Sequence, residues 1–495
     1  MKRRFFGIVA VFGAAISMMG SAGNAGASSA PRVDLSTDKA VSAYLTSIGV
    51  DPSTVVTQRG LNNYAGPSCP GVGWNCTTAT SVVQIAAPGG QNLFQCGDPA
   101  LFNVDPAAAS LAHYVPAMSC FAAQDNVAGT NTMDIREQRP EKGNDATLAC
   151  AGGTQQTTGG QNHFSCHQII HHSGSELTQA GQETASIKQI AVGGGNHSTI
   201  DQEISLTSSV NAPSGAQHQN GWQSSFVDQE ATLGAENHSG VHETQYLRGR
   251  ISGAAESDQF QNTDPLPTGF TDCVPFSVGP VENPNSCANV NQQSDSGHQE
   301  SQLNLLNDLD ARTTATSGSQ NLGGTTTGLD GTVPQPTAGA TDTSREDYDE
   351  RQDATAEGPN VDQNLTAPQS CCALQTGSDT NSLVNADQTS VQNASTSAAP
   401  LDPLALAMPN PNGNEATWLA GKIETNGNGT LTHKFVQDGG SDTRQCTAEP
   451  VEEGPPACAL ETVAVDGEPL TCGEGEAPAP NPEPPPTFVC APIPD

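Results

Sequence analysis

The stretch from about Ser186 to Asn262 constrains this chain most, because a Gln-centred unit recurs in it with drift. Gln189-Ile190-Ala191-Val192-Gly193-Gly194-Gly195-Asn196-His197-Ser198 is echoed by Gln229-Glu230-Ala231-Thr232-Leu233-Gly234-Ala235-Glu236-Asn237-His238-Ser239. Asp201-Gln202-Glu203 follows the first copy and Asp228-Gln229-Glu230 opens the second. Units of this kind bury their faces against neighbouring copies, so the chain is organised as an array instead of around one globular core.

From Ile200 onward a small or apolar residue, then Asp or Asn, then Gln recurs at Gln202, Gln229, Gln259, Gln292, Gln363 and Gln388. The separations are 27, 30, 33, 71 and 25 residues, and Ser319-Gln320-Asn321 is the degenerate member inside the long gap. A second repeat relates Gly89-Gly90-Gln91-Asn92-Leu93-Phe94-Gln95-Cys96 to Gly159-Gly160-Gln161-Asn162-His163-Phe164-Ser165-Cys166, 70 residues later. Strand, Gly-Gly turn, strand, cystine is the simplest reading of each copy. The expected fold class is therefore mainly β: stacked strand–turn–strand repeats, β-solenoid-like, with one short N-terminal helix and disordered insertions. The insertions are expected at Thr263 to Ser286 and across the Thr/Gly/Asp-rich tract from Thr313 to Pro359.

Composition agrees with an array. Aromatic residues are 4% of the chain and hydrophobic residues 35%, much of the latter alanine, which leaves little for a large conventional core. The formal net charge of −35 argues against nucleic acid as a partner, since that binding requires neutralising phosphates. Lys2, Arg3 and Arg4 precede an apolar run from Phe5 to Met19, and Ala25-Gly26-Ala27 offers small residues for cleavage before Ser28. This reads as a secretory signal peptide over residues 1–27, too short in its apolar run to span a bilayer, so no membrane insertion is expected after its removal. In an exported chain the fourteen cysteines read as disulfides. Cys69 with Cys76 and Cys150 with Cys166 are the first local pairs to expect, and Cys96 is a further candidate.

The remaining segments follow in order. Ala40, Val41, Tyr44, Leu45 and Ile48 predict a short amphipathic helix, with Ser36 or Thr37 as N-cap and Gly49 as its stop. It belongs to a lead-in over 28–66. A cysteine-containing module spans 67–170 and opens on a tight cystine turn around Trp74, expected to pack on the helix. The Gln/Asn-rich array occupies 171–395. Over 396–445 the strand-like Thr417–Thr425 and Thr430–Val436, joined by Asn426-Gly427-Asn428-Gly429, predict a β-hairpin. A Pro/Glu-rich tail fills 446–495.

Gln and Asn amides both donate and accept, so each can bond to its own copy in the next strand, roughly 4.7 Å away. Glycine and asparagine at the turns accept positive φ. On Gln189, Gly193 and Asn196, and on Gln229, Gly234 and Asn237, the chain resembles curlin-type amyloid repeats. That resemblance implies stacked strand–turn–strand units that associate with further copies. Here the period is longer and irregular, and proline, cysteine and negative charge oppose spontaneous fibril growth. The Asn63-Tyr64-Ala65-Gly66-Pro67-Ser68-Cys69-Pro70-Gly71-Val72-Gly73-Trp74 stretch is similar to one shared by secreted actinobacterial proteins, a likeness that implies no activity.

For metals, His167 with His171 and His238 with His242 stand four residues apart, which on a helix would face one ion. On strands they stand too far apart to share it, and a disulfide role is open to Cys166, so neither metal nor cofactor is expected. Glu346, Asp347, Asp349 and Glu350 read as a solvated charge run, and Cys371-Cys372 as members of two separate disulfides. No G-x-S-x-G elbow, Walker loop, C-x-x-C pair or dinucleotide fingerprint occurs, so no catalysis is expected. The sequence favours a secreted structural or surface-interaction protein acting by self-association or adhesion to extracellular surface components. Two alternatives differ in class. One is a carbohydrate-active enzyme or carbohydrate-binding module on a β-helix, which needs a cleft with converging acids or aromatics; the other is a disordered spacer carrying a small N-terminal cystine module.

Overall fold

The computed structural model describes residues 32–97, 99–102, 120–141, 145–211, 215–253, 256–262, 286–294, 297–315 and 317–323, with the backbone of further strands between 326 and 492. The expected signal peptide lies outside these residues. Helix α1 (Asp38–Ser47) starts where Thr37 Oγ1 accepts from the Ala40 amide at 3.2 Å, and Gly49, at φ +77°, follows its end. Apart from this helix and two short 3-10 turns, the described residues with regular structure are β.

The strands are long, and residues alternate between a buried and a half-buried side, as in the pattern of Gln161–Gly174. Strand β1 (Val56–Ala65) carries β2 (Trp74–Thr77) on its second half, and β3 (Ser81–Gly97) pairs along both halves of β1, with a register shift between Gly60 and Asn62. From there each layer consists of two strands: β4 (Phe121–Val127) with β5 (Thr130–Glu141), β6 (Asp145–Thr158) with β7 (Gln161–Gly174), β8 (Thr178–Val192) with β9 (Gly195–Asn211), and β10 (Gly215–Thr232) with β11 (Glu236–Ser252). The first strands pair in parallel from layer to layer, and so do the second strands. Two parallel faces thus enclose the interior.

In the next layer the first strand is divided into β12 (Glu256–Gln261) and β13 (Ser286–Ser294), both lying on β10, while β14 (Gln299–Thr314) lies on β11. The first face is thus divided between Gln261 and Ser286, and the insertion expected from Thr263 to Ser286 lies, up to residue 285, outside the described residues. Strands β15 (Ser317–Gly323), β16 (Thr326–Pro334) and β17 (Asp342–Glu357) continue the same order, followed by β18 (Asn360–Thr366), β19 (Gln369–Gln375) and β20 (Leu383–Ser397).

The interior mixes aliphatic and amide residues. One cluster includes Val82, Phe94, Met133, Ile135, Phe164, Ile187, Ile200, Val227 and Leu303; a second holds Leu148, Ile170, Ile204, Leu206, Leu247 and Leu309. Helix α1 does not close an end. Leu35, Val41 and Leu45 cover Val83, Phe121 and Ala123 on the outside of the first face, and Tyr44 Oη meets Thr154 Oγ1 at 2.9 Å.

Three disulfides are fully described: Cys69–Cys76, Cys96–Cys120 and Cys150–Cys166. Both expected local pairs are present, and Cys287 is also disulfide-bonded.

Four expectations change. The Thr/Gly/Asp-rich tract expected to be disordered supplies the end of β14 and strands β15, β16 and β17, because a preformed parallel edge asks a Thr-rich segment only for extended backbone. The expected hairpin over 417–436 is instead β21 (Lys422–Glu424), parallel to β19, and β22 (Asn428–Asp438), parallel to β20. A Gly-containing turn serves as well to join two faces as to close a hairpin. Trp74 sits in β2 edge-on to Tyr64, with ring centroids 6.4 Å apart, and is not part of the helix cluster. The Gln positions read as recurrences of one unit divide among several rows, as described below.

Candidate functional site

The feature that distinguishes this interior is its amide rows. Gln58, Gln84, Gln124, Gln155, Gln189, Gln229 and Gln292 are buried one above another on the first face. Each from Gln84 onward donates Nε2–H to Oε1 of the preceding member at 2.7–2.8 Å. The other Nε2–H crosses to a backbone carbonyl of the second face, as from Gln189 to His197 at 2.9 Å and from Gln229 to His238 at 2.8 Å.

Across the turn stands an asparagine row: Asn63, Asn92, Asn131, Asn162, Asn196 and Asn237. Its members donate Nδ2–H to Oδ1 of the following member at 2.8–2.9 Å. The second hydrogen goes to the carbonyl directly after the Gln of the following layer, such as Ile190 from Asn162 and Glu230 from Asn196. The Gln amides thus donate towards the preceding layer and the Asn amides towards the following one, so the two rows run with opposite polarity. In the Gln row each amide from Gln84 to Gln292 thus donates both to its neighbour in the row and to a backbone carbonyl, which offsets most of the desolvation cost that unpaired donors would carry.

Gln189, Asn196, Gln229, Asn237 and Gln292 fall in these two rows. Gly193 and Gly234 sit in the turns at φ +64° and +74°. Gln202 belongs to a different row on the second face and donates to Gln168 at 2.8 Å. Gln259 stacks on Gln217 at 2.7 Å, with Gln320 on it at 3.0 Å. Gln363 is in backbone register with Gln320, and Gln388 with Tyr348. Successive Gln residues along the sequence therefore fall in different rows, and the layer spacing in the main row is 26, 40, 31, 34, 40 and 63 residues.

The interior also holds carboxyl groups. Glu137, Glu183 and Glu243 are buried; burial raises the pKa of Glu137 and of Glu243 to about 7 and that of Glu183 well above the ordinary carboxyl range. Glu243 Oε2 accepts from Ser286 Oγ at 2.5 Å and from the Cys287 amide at 3.0 Å. Glu183 Oε2 accepts from Gln223 Nε2 at 2.9 Å. These acids are buried in the interior and line no open cleft of the kind in which paired carboxylates act on a sugar.

Outside the asparagine row the second face carries a histidine column. His163, His197 and His238 stack with ring centroids 5.0 and 4.8 Å apart and planes within 15° and 1°. Burial lowers the pKa of His163, and burial with its two histidine neighbours lowers that of His197. His298, on the turn before β14, meets His238 edge-on at 5.5 Å. The candidate pairs His167 with His171 and His238 with His242 lie on strands β7 and β11, the case in which their spacing keeps them too far apart to share one ion. His171 instead meets Glu203 at 2.9 Å and His242 meets Asn304 at 2.8 Å.

No protein-family model, curated protein or solved structure matches this chain. Sequence reading tied Gln84 to Gln189 through the Gln-Ile-Ala and Gly-Gly that follow each, but it missed Gln124 and Gln155, which lack a preceding Asp or Asn. The usable signal was the distance to the asparagine: seven residues from Gln124 to Asn131, Gln155 to Asn162 and Gln189 to Asn196. The histidine column was likewise visible as Asn162-His163, Asn196-His197 and Asn237-His238.

Proposed function

We propose that this chain is a secreted structural or surface-interaction protein, a β-solenoid of stacked strand–turn–strand layers that acts by self-association or adhesion and not by catalysis. The observation that carries this reading is the pair of amide rows: the same side chain recurs in the same bond through successive layers. Such repetition serves a rigid, extended body and gives no single layer a distinct chemistry. Disulfides fit an oxidising compartment. Among the described residues no helix is long and apolar enough to cross a membrane. The repeated outer faces, half-buried and polar, are the surfaces left for a partner or another copy.

The test is sedimentation of the oxidised chain from Ser28 onward at rising concentration, with binding to cell-envelope material measured in parallel. Growth of larger species or saturable binding is expected. A monodisperse monomer that binds no such material overturns the reading.

A further inference from the structure

The end of the histidine column differs from the rest of it. In β11, His238 is in register with His197 on one side and with Glu300 of β14 on the other. A carboxylate therefore replaces the fourth imidazole of the stack, and His298 swings in from the preceding turn. Ligand atoms of His238, His298 and Glu300 lie within 4.8 Å of one another. Glu300 Oε2 is 3.2 Å from His238 Nδ1 and 3.9 Å from His298 Nε2. Four-coordinate zinc with bonds near 2.1 Å separates its ligand atoms by roughly 3.4 Å. The two distances bracket that value, so a small rotation of His298 completes a three-ligand cradle.

The surroundings suit such an ion. Glu236 Oε2 lies 3.6 Å from Nε2 of His238, on the far side of the ring from Glu300. When Nδ1 ligates a metal the ring proton sits on Nε2, and Glu236 stands where it can receive that proton, the usual outer-shell arrangement of a ligating histidine. His197 stacks parallel on the His238 ring and restricts its rotation. Glu300 is 55% exposed and His298 35%, so the site opens to solvent and leaves a position for water.

We infer that His238, His298 and Glu300 form a binding site for a divalent transition-metal ion of the zinc, copper or nickel class. Two imidazoles and one carboxylate select these ions over calcium and magnesium, which take oxygen ligands. The inference does not depend on the proposed structural role. The ion joins β11 to the strand laid on it 62 residues later, across the layer whose first face is interrupted after Thr263. It therefore staples the array where the covalent path between neighbouring layers is longest.

Calorimetric titration of zinc into the untagged, oxidised protein, in millimolar calcium to saturate the acidic surface, tests this. One equivalent of saturable binding is expected. His298→Ala and Glu300→Gln, each checked for an unchanged far-ultraviolet dichroism spectrum, are each expected to weaken it by roughly tenfold or more. His171→Ala, on the same face but outside the cluster, leaves it unchanged. Glu300→Gln keeps the size of an exposed side chain, so it keeps the test valid if His298→Ala fails to fold. Absence of saturable binding, or binding that survives both substitutions, overturns the inference and leaves an imidazole–carboxylate hydrogen bond.

Discussion

At the scale of single residues, the buried carboxyl groups set a pH dependence. Glu243 is buried on β11, one layer beyond Gln202 in the same row, with Glu183 as a like-charged neighbour inside the body. Its pKa rises from an ordinary 4.5 to about 7 in the folded protein, so between these values the folded state holds a proton that the unfolded chain has released. The resulting stabilisation is complete below about pH 4.5, declines as pH rises, and is gone above about pH 7, a change of about 3 kcal/mol for this one group. Glu243→Gln keeps an acceptor for Ser286 and Cys287 without an ionisable group. Urea unfolding at pH 5 and pH 8 is therefore expected to show a smaller difference in the variant than in the parent. Equal differences in the two proteins would mean that Glu243 ionises inside the fold at no cost.

At the scale of the strand–turn–strand element, two adjacent glycines serve different needs. Gly193 has φ +64° and open space around it, so Gly193→Ala costs about 1–2 kcal/mol through backbone strain, and Gly193→Asn costs less. At Gly194 a Cβ would lie 1.9 Å from the carbonyl oxygen of Gly160, the corresponding turn residue one layer away. Alanine there forces layers apart at a cost of about 1–3 kcal/mol or more, and asparagine gives no relief. Thermal unfolding of the four variants separates the two causes. In the strand itself, Gln189→Leu strips donors from Gln155 Oε1 and the His197 carbonyl, and is expected to cost about 2–4 kcal/mol by urea unfolding. These elements were legible in the sequence to the extent that their chemistry is local. Helix α1, its Thr37 cap, the Gly turns and two short-range disulfides follow from residues close in the chain. The rows were not legible as rows, because a Gln in one face and the next Gln in the other look like consecutive repeats until the strands are placed. The backbone of β15 to β17 was hidden for a related reason: their pairing comes from the preceding layer and not from a strong pattern of their own. The metal cradle draws its ligands from β11 and from β14 with its preceding turn, and only the register between those strands brings them together.

At the scale of the whole molecule, stacked parallel layers leave backbone groups unpaired at each end of the array, and such edges recruit further copies unless they are blocked. The N-terminal end is partly blocked by β2. The Asn75 carbonyl accepts from Gln58 Nε2 at 2.6 Å, and Asn75 Nδ2 donates to Asn63 Oδ1 at 3.3 Å. This short strand thus closes the Gln row and the Asn row together, in place of a preceding layer. β2 is held by its parallel ladder on β1, and the exposed Cys69–Cys76 disulfide, seven residues apart, closes the loop that leads into it. The first half of β1 has no strand over it among the described residues, and Val56 and Leu61 on it are 40% and 58% exposed. Negative charge supplies the second barrier, since the formal net charge is −35. Its reach shortens from about 30 Å at 0.01 M salt to about 8 Å at 0.15 M. Cys69→Ser with Cys76→Ser is therefore expected to lower the concentration at which the protein associates, and more so at the higher salt. Sedimentation velocity of the double variant and the parent across both salts reads this directly. If their distributions coincide at both salts, the cystine turn is not what blocks that end, and the remaining barrier is charge or the bend of β1 itself.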